Sequence, residues 1–411
     1  MTAVPASARC PVSAPRQAEL IDPDLYGGDG AHEIWRQLRR HAPVSWQPVG
    51  DIGYWSVVGH ADAGRVLRDH DAFTSEQGTL LNLLGKGDPA GGRQMAVTDP
   101  PKHSRLRGPL QQALSIKAVD DDREDIRRVV AELLGPLADG GPFDFAAAMS
   151  AMPMAVIGTM MALPEQDWPR LVRLTYACIA ADDPEFQLGA GPQVTLVTAH
   201  RELFAYFQDI VTSRRRSPGD DLISVLLTME LDGRRLSPGE IVSNCYSLLL
   251  GATVTTAQPP CAAVAELAGT PVLDDWAAHP ELLTSGVEES LRWASPTQHF
   301  MRHTTRDVEI RGVPIPAGDA VVVWLGSANR DETVFAAPDV FDIRRRPNKH
   351  IAFGVGAHYC IGHTVARVTL RVLFEELLSR FTEVELAGTP RRIRSNIIAG
   401  FSRLPITARV R

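Results

Sequence analysis

Most of the chain carries the spacing of amphipathic helices. Apolar residues recur three and four positions apart over His32–His41, His60–Asp69, Pro101–Leu114, Val119–Leu137, Phe145–Met161, Glu165–Ala180, Val194–Arg214, Asp221–Met229, Pro238–Leu267 and Ile361–Phe381. Strand-like runs are short. Val44–Gln47 and Gly53–Val58 form one pair, with Asp51-Ile52-Gly53 as the turn, and Asp307–Trp324 turns to strands punctuated by Gly and Pro. A last strand pair is expected within Val384–Ala408. The Gly- and Leu-containing stretch Ser75–Gln94 reads as a mobile loop suited to binding residues. Asp182–Gly191 breaks the helical pattern with Asp, Pro and Gly. The pattern predicts a mainly α fold with small β-sheets. Without an internal repeat or a clean linker, residues 21–411 read as a single domain, preceded by a flexible Pro-, Ser- and Ala-containing arm over 1–20.

Composition narrows the class. At 411 residues and 44% hydrophobic, the chain can bury a large core. A net charge of −7 leaves no basic footprint for nucleic acid. The five cysteines (Cys10, Cys178, Cys245, Cys261, Cys360) show neither disulfide-framework nor zinc spacing, which points to a reducing cytoplasm. The first twenty residues contain no apolar run long enough for a signal peptide or a membrane span, so no membrane association is expected.

The most specific chemistry lies in His350-Ile-Ala-Phe-Gly-Val-Gly-Ala-His-Tyr-Cys360-Ile-Gly362. It offers one cysteine in a glycine-punctuated loop just before a helical pattern. Gly354, Gly356 and Gly362 allow tight turning and leave room for a flat ligand. A helix N-terminus favours a thiolate at Cys360, and a thiolate suits an axial bond to haem iron. The bland alternative is an inert buried cysteine.

With Phe353, Gly354, Gly356, His358, Cys360 and Gly362 at matching spacing, the loop resembles the haem-binding signature of the cytochrome P450 family. The resemblance runs from about Ile21 to the C-terminus and implies that family's fold, with haem b held through Cys360. Glu289 and Arg292, three apart on a predicted helix, match the family's Glu-x-x-Arg pair, and Arg345 lies in its partner segment Pro338–Arg345. Together they imply a buried charged network bracing the haem loop. His103, Arg107, Arg302 and His358 match positions that hold the haem propionates, and Phe353 lies in the loop itself. Gly251 and Ala252 leave space over the iron, and Thr255 matches the hydroxyl that helps deliver protons to bound oxygen.

One departure stands out: Val254 occupies the family's usual acid position. The neighbouring Thr253 has a helix-internal reading as a back-bond to a carbonyl one turn earlier, and the same alternative applies to Thr255. Pro259 and Pro260 should kink the long helix and free the carbonyls of Thr255 and Thr256, or break it there for packing reasons alone. The expected pocket draws on Leu80–Leu84, Gly251–Thr255, Thr297–Phe300 and Ile397–Phe401, with Leu80, Leu83, Val254, Thr297, Phe300 and Ile398 as named contacts. Lys102, Arg105, Lys117, Arg344, Arg346, Lys349 and Arg371 could form a positive patch that steers an acidic electron carrier.

The implied activity is O2-dependent monooxygenation, such as hydroxylation, of a small organic molecule in secondary metabolism, free or bound to a carrier protein. Electrons would come through a ferredoxin-type donor and its reductase. Two rivals remain: a haem-thiolate enzyme with peroxide-driven or non-oxygenative chemistry, and a catalytically silent haem protein that binds a partner.

Overall fold

The computed structural model describes residues 20–28, 30–115 and 123–411. Helices dominate: α1 (Gly30–His41), α2 (His60–Arg68), α3 (Lys102–Ala113), α4 (Arg123–Leu134), α5 (Phe145–Met160), α6 (Trp168–Ile179), α7 (Pro192–Arg216), α8 (Leu222–Thr228), α9 (Pro238–Thr256), α10 (Gln258–Leu267), α11 (Val272–Ala278), α12 (Leu283–Ala294), α13 (Leu325–Ala328) and α14 (His363–Arg380). The largest sheet contains β1 (Val44–Val49), β2 (Ile52–Val57), β3 (Phe73–Thr74), β4 (His299–Thr304) and β5 (Ala320–Trp324), in the order β1-β2-β5-β4-β3. Only β2 and β5 run parallel; the other neighbours are antiparallel. The mainly α architecture with small sheets is thus as expected. The start of the helix expected at Val119 and nearly all of the N-terminal arm lie outside the described residues. Leu20, assigned to that arm, is already fully buried, and its carbonyl accepts from the Tyr26 hydroxyl at 2.7 Å.

Two local expectations change. The first hairpin turns at Gly50-Asp51, because Val49 pairs directly with Ile52. Gly50 takes φ 57°, a left-handed conformation that glycine adopts without strain. The stretch expected as a mobile loop is pinned. The Thr79 carbonyl accepts from Met301 N at 2.8 Å, Leu81 N donates to His299 Nε2 at 2.9 Å, and Leu81 and Leu84 enter the core.

Helix α9 is the axis of the helical layer and packs against α5, α6, α7, α8 and α14. Its start is firmly set. The Ser237 hydroxyl accepts from Glu240 N, the Glu240 carboxylate accepts from Ser237 N, and Pro238 opens the first turn. Its end is set by two prolines. The run expected as one helix over Pro238–Leu267 breaks at Ala257, since Pro259 and Pro260 have no N–H with which to continue the ladder. Both instead fall in the first turn of α10, where that N–H has no intrahelical partner anyway. By length and composition the run Pro238–Leu267 could cross a membrane, but most of it is buried inside the fold.

Candidate active site

The Cys360 loop connects the end of the meander to α14, and Cys360 lies three residues before that helix. Its backbone N–H donates to the Phe353 carbonyl at 2.9 Å, which closes the loop. Gly354 and Gly356 have φ 68° and 80°, so both need glycine's left-handed freedom. Gly356 was expected to make room for a ligand. It makes room instead for the protein: a Cβ there would lie 2.7 Å from the Leu67 carbonyl and 2.9 Å from Arg68 Cα. Burial pushes the Cys360 thiol up and outweighs the Gly362 N–H and the charges of Arg107 and Arg367. A coordinating metal cation removes that proton outright.

Cys360 opens onto a cavity of about 620 Å³, which is largely apolar. His103, Arg107, Arg302, His358 and Phe353 all line it. His103 and Arg107 share one face of α3, and the His103 and His358 rings lie 4.2 Å apart. His358 Nε2 meets Ser75 Oγ at 3.1 Å and Asp99 Oδ1 at 3.9 Å. Burial, with help from His358 and Arg107, pushes His103 down to about 4, and among the described residues its Nδ1 has no partner. Arg302 is buried on β4. Its Nη1 donates to the Met301 carbonyl at 2.9 Å, and desolvation lowers it to about 10, with only Asp99 opposing. A buried cation with no paired carboxylate among the described residues and an imidazole nitrogen left unbonded by them, both lining an apolar cavity with a thiol, fit a flat apolar ligand that carries anionic groups and a metal. Haem is such a ligand.

Across the cavity runs α9. A Cβ at Gly251 would meet nothing within 4 Å, and Ala252, Val254 and Thr255 line the same wall. Thr253 is fully buried, and its hydroxyl donates to the Leu249 carbonyl at 2.7 Å, which leaves it the helix-internal role. The Thr255 hydroxyl donates to the Gly251 carbonyl at 2.7 Å, so its proton is committed while its oxygen can still accept. The carbonyl expected to be free at Thr255 is partly occupied by the Ala257 N–H. Leu80, Leu83, Thr297, Phe300 and Ile398 complete the apolar lining. Phe401, from one of the expected segments, is instead buried in the core around α14.

Glu289, Arg292 and Arg345 form a buried network. Arg292 donates bidentately to Glu289 at 2.7 and 2.8 Å, and Arg345 Nε donates at 3.1 Å. Both guanidiniums also donate to carbonyls of the 336–340 segment. The group that touches the cysteine segment directly is its neighbour Glu288, which had not been singled out. Glu288 accepts from Arg367 at 2.7 and 2.8 Å and meets His350 at 3.0 Å. The Arg367 guanidinium in turn lies 4.6 Å from the Phe353 ring centroid. The expected positive patch is partly neutralised: Arg105 pairs with Asp232, Arg344 with Asp275, and Lys102 donates to the Gly92 carbonyl. Arg346 and Lys349 stay exposed, and Lys117 lies outside the described residues.

Sequence reasoning also missed His200 on α7 and Tyr246 on α9, whose side chains meet at 2.9 Å on the cavity wall. Nothing local marks them, because their contact exists only once the two helices pack.

Comparison with known proteins agrees with this geometry. The cytochrome P450 family model matches residues 275–409. The chain is 36% identical to cytochrome P450 NovI of Streptomyces niveus, covering 96% of this chain and 98% of that one. It is 33% identical to linalool 8-monooxygenase of Pseudomonas putida, covering 94% and 98%. Among solved structures it resembles P450 OxyD, which is involved in the biosynthesis of vancomycin-type antibiotics. The TM-score is 0.85 at 35% identity, over 95% of this chain and 99% of that one.

Proposed function

Since the chain belongs to the cytochrome P450 family, whose cofactor is haem, we propose that it is an O2-dependent monooxygenase of a small, mostly apolar organic molecule. One oxygen atom enters a C–H bond of the substrate. The other leaves as water, with two protons and two electrons consumed. The electrons come from NAD(P)H through a reductase and a ferredoxin-type protein. Haem b, when bound, supplies the activation of O2.

The chain's own residues do the rest. Cys360 holds the iron through its thiolate, and Phe353 closes the loop around it. Arg302, His103, Arg107 and His358 hold the propionates. Gly251 and Ala252, small residues on the facing wall, would leave room for the bound group. Leu80, Leu83, Val254, Thr297, Phe300 and Ile398 exclude water and shape the substrate site. Thr255, with its own proton committed to Gly251, accepts a hydrogen bond and so orders a water that can carry protons inward. Glu289, Arg292 and Arg345 act structurally.

The observation that carries this reading is the convergence of Cys360 and the unpaired Arg302 on one apolar cavity. Similarity to OxyD supports a tailoring role in secondary metabolism, and the scattered unpaired cysteines support a cytoplasmic setting. Val254, where the family has an acid, favours one rival, peroxide-driven turnover. Product formed with hydrogen peroxide alone, at a rate matching NAD(P)H with its partners, would select it.

The test is the carbon monoxide spectrum of the reduced protein. It should show the red-shifted Soret band of a thiolate complex. Cys360→Ala should abolish that band, whereas Cys178→Ala, Cys245→Ala and Cys261→Ala should keep it, since all three thiols lie on helices away from the Cys360 loop. Retention of the band in Cys360→Ala overturns the assignment.

A further inference from the structure

The cavity wall is apolar near Cys360 but not throughout. On its α7–α9 side His200 Nε2 and the Tyr246 hydroxyl are 2.9 Å apart, with Cys178 on the same wall. The Phe204 ring, 5.1 Å from the Tyr246 ring, closes over the pair. His200, Phe204, Tyr246 and Cys178 all line the cavity. The two groups bond each other, and this half-buried pair in an apolar wall keeps hydrogen-bonding capacity for a ligand.

We infer that His200 and Tyr246 form a recognition site for an uncharged hydroxyl group on the substrate, set apart from the carbon that is oxidised. This rests on the monooxygenase reading and adds the substrate's polar handle.

Three observations lead to a hydroxyl. First, the pair can present either polarity. If Tyr246 donates to His200 Nε2, the imidazole carries its proton on Nδ1 and offers a donor. If Nε2 donates instead, the Tyr246 hydroxyl proton is released from the pair and Nδ1 becomes an acceptor. Among the described residues no protein atom engages that Nδ1. A ligand hydroxyl, both donor and acceptor, matches either state. Second, an anion is disfavoured. Desolvation holds His200 below its ordinary value, so the ring is neutral, and the Asp88 carboxylate acts on Tyr246 from the same cavity. Third, the distance suits a small molecule. Tyr246 precedes Gly251 by five residues on α9, about 7.5 Å along the axis. The handle therefore lies several bonds from the reacting carbon.

The experiment is a binding titration of haem-loaded protein, followed by the absorption change and by calorimetry, with four ligands on one apolar frame. These are butylbenzene, 4-phenylbutan-1-ol, 4-phenylbutanoate and trimethyl(4-phenylbutyl)ammonium. The alcohol should bind about three- to tenfold tighter than the hydrocarbon, the range one net hydrogen bond supplies. Tyr246→Phe and His200→Leu should each bring that ratio close to one. His200 is partly exposed, so its variant keeps the test available if the Tyr246 variant folds poorly. An unchanged ratio in the variants would make the pair a helix–helix clamp only. Equal affinity for alcohol and hydrocarbon, or tighter binding of the carboxylate or the ammonium compound, would also overturn the inference. The carbon monoxide spectrum of the same samples reports on Cys360 separately, so failure here is distinguishable from failure of the haem-thiolate reading.

Discussion

Replacing Glu289 with alanine would leave two buried guanidiniums facing each other across the space of the lost carboxylate. Arg292 is fully buried and Arg345 is 8% exposed. Glu289 accepts from both, and also from Asp342 N at 2.9 Å and Asn348 Nδ2 at 3.1 Å. Stranding one buried charge costs about 3–5 kcal/mol. Here two like charges are stranded, so the top of that range applies. Against a total stability of roughly 5–15 kcal/mol, this is a large fraction. Arg345→Ala should cost less, toward about 3 kcal/mol, because the Glu289–Arg292 bidentate pair stays balanced. The double variant Glu289→Ala/Arg345→Ala should then cost less than the two singles added, because it removes one of the two stranded cations. Urea unfolding followed by tryptophan fluorescence, with haem content measured in parallel, gives all three values. A Glu289→Ala variant within about 1 kcal/mol of the parent, or strict additivity in the double, would refute the argument.

Three further outcomes are expected. Thr255→Ala should raise hydrogen peroxide released per NAD(P)H consumed and lower product; unchanged coupling would remove the hydroxyl from proton delivery. Burial pushes the Glu288 carboxyl up, but hydrogen bonds and charge from Arg367 and His350 outweigh it and hold the group at about 2, against 4.5 ordinarily. The folded state therefore binds this proton less tightly than the unfolded chain. The stability it confers is full above pH 4.5 and is lost as pH falls toward 2. Glu288→Gln should flatten that part of the stability–pH curve, and an unaltered slope would contradict the reading. Gly354→Ala should cost about 1–2 kcal/mol of left-handed strain, since only the His358 carbonyl lies near, at 3.9 Å. Gly356→Ala meets the Leu67 carbonyl at 2.7 Å as well and should lose haem-loaded protein in expression; equal yields of the two would disprove the packing role.

The helices were legible because their signal is local: an apolar stripe and a cap such as Ser237-x-x-Glu240 can be read in one window. The two prolines after Ala257 marked the kink, but not that they would open a new helix there. Strand β4 was missed because His299–Thr304 has no alternation; it is almost wholly buried between β5 and β3. At the site, His103, Arg107, Arg302, Phe353, His358 and Cys360 line the cavity and Glu289, Arg292 and Arg345 form the buried network, whereas Gly356 packs against α2 instead. What escaped the sequence was pairing between distant elements. Glu288 with Arg367, and His200 with Tyr246, are unremarkable one at a time and meet only after the helices pack.

The unpaired guanidinium of Arg302 ties the integrity of this fold to mass action. Its charge is desolvated, and among the described residues no carboxylate is in contact with it. Any anion-bearing ligand that fills the cavity supplies the missing counter-charge, and does so only in the native state. Such a ligand at a hundred times its dissociation constant adds about 2.7 kcal/mol to the native state. The melting temperature of this protein is therefore a property of chain and ligand concentration together. Starving a culture of the cofactor should thin the protein by turnover before any activity is assayed.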